Sequence, residues 1–170
     1  MSNAKTVIQG AGGALVIAAG LAGFLEGKTN HAIIPVPGDV PTICRGHTGP
    51  DVKLGMVASD QQCDEWFAAD LSIAFKGIER QAPGVVMPAT RRAAIASWFL
   101  NVGAGNAARS TLMRLLREGD QIGACNELTR WVYAGGRKLK GLVNRRSVER
   151  AVCLMEPEEE PFWRKYLPSV

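Results

Sequence analysis

Apolar residues recur at helical spacing through most of the chain, and this pattern predicts a mainly helical protein. The longest amphipathic run predicts a helix over 63–81, with Ser59 and Asp60 as candidate N-terminal caps. Its apolar face consists of Trp66, Phe67, Leu71, Ala74, Phe75 and Ile78. The next run, 91–105, is apolar on almost every side, which predicts a buried central helix capped by Thr90.

Further helices are predicted towards the C-terminus, whereas the chain before the first long helix has a different pattern. Ser110 precedes a predicted helix over 111–120, and two more helices are predicted over 123–136 and 145–155. Residues 28–57 are rich in Gly, Pro and β-branched residues, which predicts a short β-hairpin region. The predicted fold class is therefore α+β and predominantly helical.

The first apolar segment, 6–25, carries no charged residue and is long enough to span a bilayer as a helix. Five Gly and five Ala make the segment only weakly hydrophobic. Three interpretations remain open: a cleaved signal peptide, a buried helix of a soluble protein, and a membrane anchor that can leave the bilayer. The length together with the weak hydrophobicity favours the third.

Composition and charge narrow the classes of partner. Among 170 residues, 46% are hydrophobic and 21% are charged, which excludes a wholly disordered chain. The net charge of the chain is +4, although the acidic tail 156–170, which is predicted to be solvated, is itself negative. The body is therefore basic, and an anionic partner such as a cell-wall polymer is expected. No basic run is interleaved with aromatic residues, which argues against nucleic acid, and the spacing of His and Cys argues against a metal site.

Four cysteines, Cys44, Cys63, Cys125 and Cys153, suit an oxidising compartment. Four cysteines allow three disulfide connectivities. One of these would join the hairpin to the first body helix through Cys44 and Cys63, and two late helices through Cys125 and Cys153. The alternative is four buried thiols in a cytosolic protein, which the export-like N-terminus disfavours. The sequence does not select among the three connectivities.

Side chains that could hydrolyse a glycosidic bond follow the apolar segment. Glu26 comes directly after Phe24 and Leu25, and apolar surroundings raise the pKa of a carboxyl group, which suits it to general-acid work. Asp39 and Thr42 follow within the hairpin region. A carboxylic acid, a second carboxylate and a water-orienting hydroxyl are the minimal set for this chemistry. Glu26 could alternatively mark the membrane boundary.

Short motifs follow one another in a recognisable order along the chain. They are Leu25-Glu26-Gly27, TICRGHTG over 42–49, NVGAGN over 101–106, RWVYAGG over 130–136, GLVNRR over 141–146 and Glu149-Arg150. In this order they resemble the phage-type lysozymes, which are muramidase endolysins, and most closely the signal-arrest-release subgroup with a weak N-terminal membrane segment. The resemblance covers about 6–155 and leaves out the acidic tail.

The resemblance implies a small β-hairpin lobe and a helical lobe with a cleft between them. It also implies hydrolysis of the β-1,4 bond between N-acetylmuramic acid and N-acetylglucosamine in peptidoglycan, with Glu26 and Thr42 as catalytic residues. The family's Asp, nine positions after the Glu, would fall at Pro35, so Asp39 is the predicted replacement, although Gly38-Asp39 is also common turn chemistry. Because of Pro35, the alternative is a catalytically impaired peptidoglycan-binding protein.

Three further residues are predicted to bind substrate, each with a structural alternative. His47 could instead make a structural hydrogen bond, Asn101 could cap a helix, and Arg145, like Arg146, could simply be solvated. The aromatic residues Trp98, Trp131 and Tyr133 are expected to lie in the core, and Gly103 and Gly105 are expected to form a tight turn.

The predicted organisation has three parts: a signal-anchor segment over 1–25, a muramidase domain over 26–155 and an acidic tail over 156–170. No cofactor or metal is implied. The protein is expected to be a monomer that binds peptidoglycan and causes host cell lysis. It would be exported to the periplasm of a bacterial host and initially tethered to the inner membrane through 6–25.

Overall fold

The computed structural model describes residues 11–25, 29–35, 38 and 40–156, and the predicted tail is therefore outside it except for Glu156. The helices are α1 (Ala11–Leu25), α2 (Asp60–Gln81), α3 (Ala89–Val102), α4 (Ala104–Ala108), α5 (Thr111–Arg117), α6 (Gln121–Glu127) and α7 (Lys140–Leu154), with a 3-10 turn at Leu128–Arg130. The strands are β1 (Thr29–Ile33), β2 (Thr42–Cys44), β3 (Tyr133–Ala134) and β4 (Arg137–Lys138).

The hairpin region predicted over 28–57 is confirmed as a small lobe. Strands β1 and β2 pair antiparallel, with Thr29 opposite Cys44 and Ile33 opposite Thr42. The lobe has its own apolar cluster, which consists of Ala32, Ile43, Cys44, Val52, Ala58 and Cys63. A second and larger cluster fills the helical part of the molecule. The predicted α+β class with a hairpin lobe and a helical lobe is thus confirmed.

Helix α3 lies at the centre of the helical lobe, as its apolar pattern predicts, with α1, α2 and α7 packed against it. Gly77 of α2 allows one of these close contacts. A Cβ atom at Gly77 would lie 2.5 Å from the Phe99 ring of α3, so a larger residue would force the two helices apart.

The starts of α2 and α3 are determined differently. Ser59 caps α2 as predicted: its hydroxyl accepts from the backbone N–H of Gln62, and the Gln62 side chain accepts from the backbone N–H of Ser59. The predicted cap Thr90 is wrong, because α3 already begins at Ala89. Pro88 precedes it with an extended backbone, and Thr90 instead donates to the carbonyl of Met155 at 3.2 Å.

The predicted helix over 123–136 is wrong in its second half. Helix α6 ends at Glu127, and β3 and β4 then form a hairpin whose turn is Gly135-Gly136, both with positive φ. Tyr133 on this hairpin is 62% exposed, so the expectation that it lies in the core is wrong, whereas Trp98 is fully buried. Helix α7 begins at Lys140, before the predicted start.

Helix α1 is the described part of the apolar N-terminal segment. Ala14, Ala18 and Leu21 are buried, whereas Val16 on the other face is 63% exposed. Ala18 and Leu21 belong to the same apolar cluster as α3. Among the described residues, none of the helices is both long enough and apolar enough to cross a membrane.

Two disulfides select one of the three possible connectivities. Cys44 is joined to Cys63, which ties β2 to α2, and Cys125 is joined to Cys153, which ties α6 to α7. No cysteine is left as a free thiol. In the chain-entropy account each cross-link destabilises the unfolded chain by about 3 kcal/mol or slightly more.

Candidate functional site

A groove of about 340 Å³ lies where the hairpin lobe meets α2 and α3. The described residues that line it are Val40, Thr42, Arg45, Gly46, Thr48, Phe67, Asp70, Leu100 and Asn101. Two of the predicted site residues, Thr42 and Asn101, therefore meet at one groove although they are distant in sequence. The cleft that the resemblance implies between the two lobes corresponds to this groove.

Thr42 is the first residue of β2 and reaches the groove from the hairpin side. Its hydroxyl donates to the carbonyl of Val40 at 3.2 Å. The two predicted carboxylates, Glu26 and Asp39, lie outside the described residues. Their neighbours in sequence are described: Leu25 ends α1, and Val40 lines the groove.

A tight reversal follows β2 and presents Arg45 at its tip. Ile43 and His47 exchange backbone hydrogen bonds of 3.0 and 2.9 Å across it. Within the reversal, Cys44 has φ 60° and Gly46 has φ 88°. A positive φ is costly for a residue other than glycine, and the disulfide to Cys63 holds Cys44 in this conformation.

His47 of the hairpin lobe is held between two carboxylates. Its Nδ1 lies 2.9 Å from Asp70 and its Nε2 lies 3.3 Å from Asp51. The ring also stacks on Trp66, with centroids 4.9 Å apart and planes 8° apart. The hydrogen bond from His47 is the main cause that lowers the pKa of Asp51 below its ordinary value. These contacts suit a structural role for His47, which is not among the described residues that line the groove.

A buried polar network lies behind the groove wall, centred on Glu149 of α7. The Glu149 carboxylate, which is fully buried, accepts from Ser97 at 2.7 Å, from Nε of Arg145 at 3.0 Å and from Nη1 of Arg146. The expectation that Arg145 and Arg146 are solvated or face the cell wall is wrong, because they are 9% and 1% exposed. Pairing with Glu149 offsets the cost of burying these charges.

Asn101 connects this network to the groove. Its Oδ1 accepts from Nη2 of Arg146, so the amide nitrogen Nδ2 is the group left to donate. The alternative that Asn101 caps α3 is wrong, because Gly103, with φ 79°, ends the helix and donates its N–H to Phe99. Gly103 thus forms the predicted turn, whereas Gly105 lies within α4.

Glu149 and Arg45 lie within motifs of the sequence, but sequence reasoning gave neither of them a role. Arg145 and Arg146 lie four and three residues before Glu149, and this spacing is the signal for the role of Glu149, because such residues share a helix face. The motif TICRGHTG contains Arg45 but does not show what its side chain contacts. A larger depression of about 440 Å³, lined by Asn106, Arg109, Ser110, Thr111, Glu127, Arg130 and Trp131, contains none of the predicted site residues.

Comparisons with known proteins agree with this geometry. The sequence model of the Phage lysozyme family matches residues 24–149. The chain belongs to the phage lysozyme family. It is 44% identical over 113 residues to the SAR-endolysin of Enterobacteria phage P21, an alignment that covers 66% of this chain and 68% of that protein.

Two further relatives extend the comparison over more of the chain. The SAR-endolysin of Pseudomonas phage phiKMV is 35% identical over 150 residues, covering 85% of this chain and 91% of that protein. The crystal structure of the active form of the P1 phage endolysin Lyz superposes with a TM-score of 0.71 at 28% identity, covering 81% of this chain and 83% of that one. The chain is thus a glycoside hydrolase of the lysozyme type that hydrolyses peptidoglycan.

Proposed function

We propose that the protein is a signal-arrest-release endolysin that cleaves the β-1,4 bond between N-acetylmuramic acid and N-acetylglucosamine in the periplasm and so lyses its bacterial host. The observation that carries this proposal is the groove between the lobes of a phage-lysozyme fold, lined by Thr42 and Asn101. The protein acts as a monomer in this proposal.

The proposed chemistry assigns a role to each of three residues. Glu26 protonates the leaving glycosidic oxygen, and Asp39 and Thr42 position and activate the attacking water. Thr42 lines the groove, and its hydroxyl, which donates to the carbonyl of Val40, can still accept a hydrogen bond from a water.

Asn101 is proposed to bind an N-acetyl group of the glycan. Because Arg146 occupies its Oδ1, its Nδ2 is oriented as a donor, and an acetamido carbonyl is a matching acceptor. The buried network fixes this orientation before substrate arrives, so little side-chain freedom is lost on binding. Arg145, proposed from sequence as a second substrate-binding residue, would act through the same network, since its Nη2 donates to the hydroxyl and carbonyl of Ser97.

Product analysis tests the proposed reaction. The full-length protein is incubated with purified peptidoglycan, and new reducing ends are reduced with borohydride and identified. Reduced N-acetylmuramic acid is expected. Reduced N-acetylglucosamine would show cleavage of the other glycosidic bond. Binding without any new reducing end would favour the impaired binding protein that Pro35, in place of the family's Asp, suggests.

A pair of threonine variants tests whether turnover depends on the Thr42 hydroxyl at the groove. Thr42→Val removes the hydroxyl at the groove and is expected to abolish most turnover. Thr29→Val is the matched control on β1, where the hydroxyl donates to the carbonyl of His31 instead. Equal rates for the two variants would contradict the role of Thr42.

The segment 6–25 is proposed to be a signal anchor that tethers the enzyme to the inner membrane before release. The support is that α1 packs on the body through small residues, Ala14 and Ala18, while Val16 stays exposed. A helix rich in Gly and Ala gains little from lipid, so leaving the membrane is feasible. Leu25 directly precedes Glu26, so the state of this helix would control the position of the general acid.

A further inference from the structure

Arg45 is the one basic side chain among the described residues that line the groove. It lies at the tip of the reversal between Ile43 and His47, whose backbone hydrogen bonds fix its Cα. The other charged residue of the lining is Asp70, and its Oδ2 lies 2.9 Å from Nδ1 of His47. Among its described lining residues, the groove therefore presents one guanidinium at a defined position.

Two contacts hold the guanidinium of Arg45 in place. Its Nη1 donates to Asp64 at 2.8 Å, and its Cζ lies 5.3 Å from the centroid of the Phe67 ring. Both partners belong to α2, and Phe67 also lines the groove. A guanidinium stacked on an aromatic face and bound at one nitrogen keeps its remaining N–H groups in a fixed plane.

Stability alone does not account for this arrangement. Asp64 is 62% exposed, and an ion pair with such an exposed partner contributes little to folding. Arg45 makes no other hydrogen bond within the part of the chain that the structure describes. Its free N–H groups match a carboxylate, which accepts two parallel hydrogen bonds from a guanidinium.

We propose that Arg45 binds a carboxylate of the peptidoglycan beside the cleavage site and sets a preference for glycan that carries ionised carboxyl groups. The proposal rests on the proposed function, because it names a further feature of the same substrate. Two carboxylates have this chemistry: those of the stem peptide, and the lactyl carboxylate of a muramic acid that has lost its peptide. The proposed contact is to a carboxylate substituent of the glycan and not to the glycosidic oxygen, so it should affect binding and not the chemical step.

Steady-state kinetics of Arg45→Gln on three substrates test the proposal: untreated peptidoglycan, the same material with its carboxyl groups converted to amides, and glycan freed of its peptides by an amidase. On untreated peptidoglycan, KM is expected to rise about tenfold with kcat unchanged, the loss expected for a charge-assisted hydrogen bond. On amidated peptidoglycan, wild type and variant should have equal KM. In untreated peptidoglycan most lactyl carboxyl groups are amides of the stem peptide, so an effect there assigns the stem-peptide carboxylates. A tenfold difference found only on the peptide-free glycan would assign the lactyl carboxylate, and equal KM on that glycan would exclude it.

Three further variants separate recognition from charge and from folding. Arg80→Gln removes the same charge from an exposed position of α2 and should leave KM within about twofold of wild type. Arg45→Lys keeps the charge but loses the planar fork, and an intermediate KM is expected. Asp64→Asn releases the guanidinium and should raise KM by about threefold. Thermal unfolding of each variant checks that it is folded.

The outcomes are distinguishable. Arg45 does not bind a carboxylate of the substrate if Arg45→Gln raises KM equally on untreated and amidated peptidoglycan. The same conclusion follows if the variant lowers kcat with KM unchanged. If Arg80→Gln raises KM as much as Arg45→Gln does, the effect is general attraction to an anionic polymer and the inference fails. If wild type cleaves none of the substrates, the proposed function itself is wrong.

Discussion

Arg146 donates through Nη2 to the Oδ1 of Asn101, so a buried guanidinium of α7 holds an amide at the groove wall. Its other nitrogens bind Glu149 and the backbone carbonyl of Trp131, the latter at 3.1 Å. Burial lowers the pKa of Arg146 below its ordinary value, and the attraction of Glu149 opposes that shift. The charge that stabilises the interior is thus also the one that orients a groove residue.

Arg146→Met should destabilise the fold strongly, because it leaves Glu149 buried without one of its two cationic partners. A loss of about 3–5 kcal/mol in the free energy of unfolding is expected. Arg150→Met is the matched control on the same helix. Among the described residues the Arg150 side chain donates only to Asn126, at 2.9 Å, so this variant should lose about 1 kcal/mol or less. Urea denaturation measures the free energy of unfolding of both variants. Similar losses would mean that the buried network stabilises the fold no more than an exposed hydrogen bond does.

The His47–Asp51 contact predicts a specific dependence of stability on acid. The pKa of Asp51 is lowered below its ordinary value of 3.8, so its contribution is present above that value and is lost as pH falls through the lower pKa of the folded state. Asp51→Asn should therefore unfold at a lower temperature than wild type at about pH 6. That difference should vanish at about pH 2. A difference in Tm that stays constant across this range would contradict the assignment.

The two disulfides should differ in what they do for activity. Each should stabilise the fold by about 3 kcal/mol or slightly more. The variant with Cys44→Ser and Cys63→Ser also frees the reversal that carries Arg45, so turnover on peptidoglycan should fall even at temperatures where the protein is folded. The variant with Cys125→Ser and Cys153→Ser should lose stability with little change in turnover. Equal losses of turnover would show that neither cross-link acts on the groove specifically.

Membrane release should respond to the exposed face of α1. Ala19 and Gly20 are exposed, and a Cβ at Gly20 would meet nothing within 4 Å, so leucine at both positions leaves the packed face intact. The Leu variant should stay in the membrane fraction and delay lysis, because each leucine favours insertion by about 0.3–0.6 kcal/mol.

Replacing the same two residues with glutamine is the matched opposite change and should hasten release. The turnover of both variants in detergent should equal that of wild type. Lysis on the wild-type schedule by the Leu variant, or a mature protein that begins after Ala22, would indicate an ordinary cleaved signal peptide.

Features that depend on neighbours in sequence could be predicted. The cap at Ser59 and the apolar face of α2 are determined within one segment, and both are confirmed. The order of motifs also indicated which distant residues meet, and Thr42 and Asn101 do line one groove.

Features that depend on tertiary partners could not be predicted. Arg145 and Arg146 look like surface residues in sequence, and only the carboxylate of Glu149 and the carbonyl groups around it make their burial possible. The end of α6 was not predicted, because the apolar residues after Glu127 continue a helical spacing. In the structure the turn at Gly135-Gly136, with positive φ, instead places the flanking residues in a hairpin. Arg45 became a candidate only once Asp64 and Phe67 were found beside it.

The turnover of Glu26→Gln on purified peptidoglycan tests the central claim most directly. The amide cannot donate a proton to the leaving oxygen, so kcat should fall by about 10²–10⁴-fold while the Tm stays near that of wild type. Asp39→Asn should also lower kcat severely, and Asp51→Asn, which alters a carboxylate outside the groove lining, should not. A Glu26→Gln protein that releases muramic acid reducing ends at the wild-type rate would contradict the account.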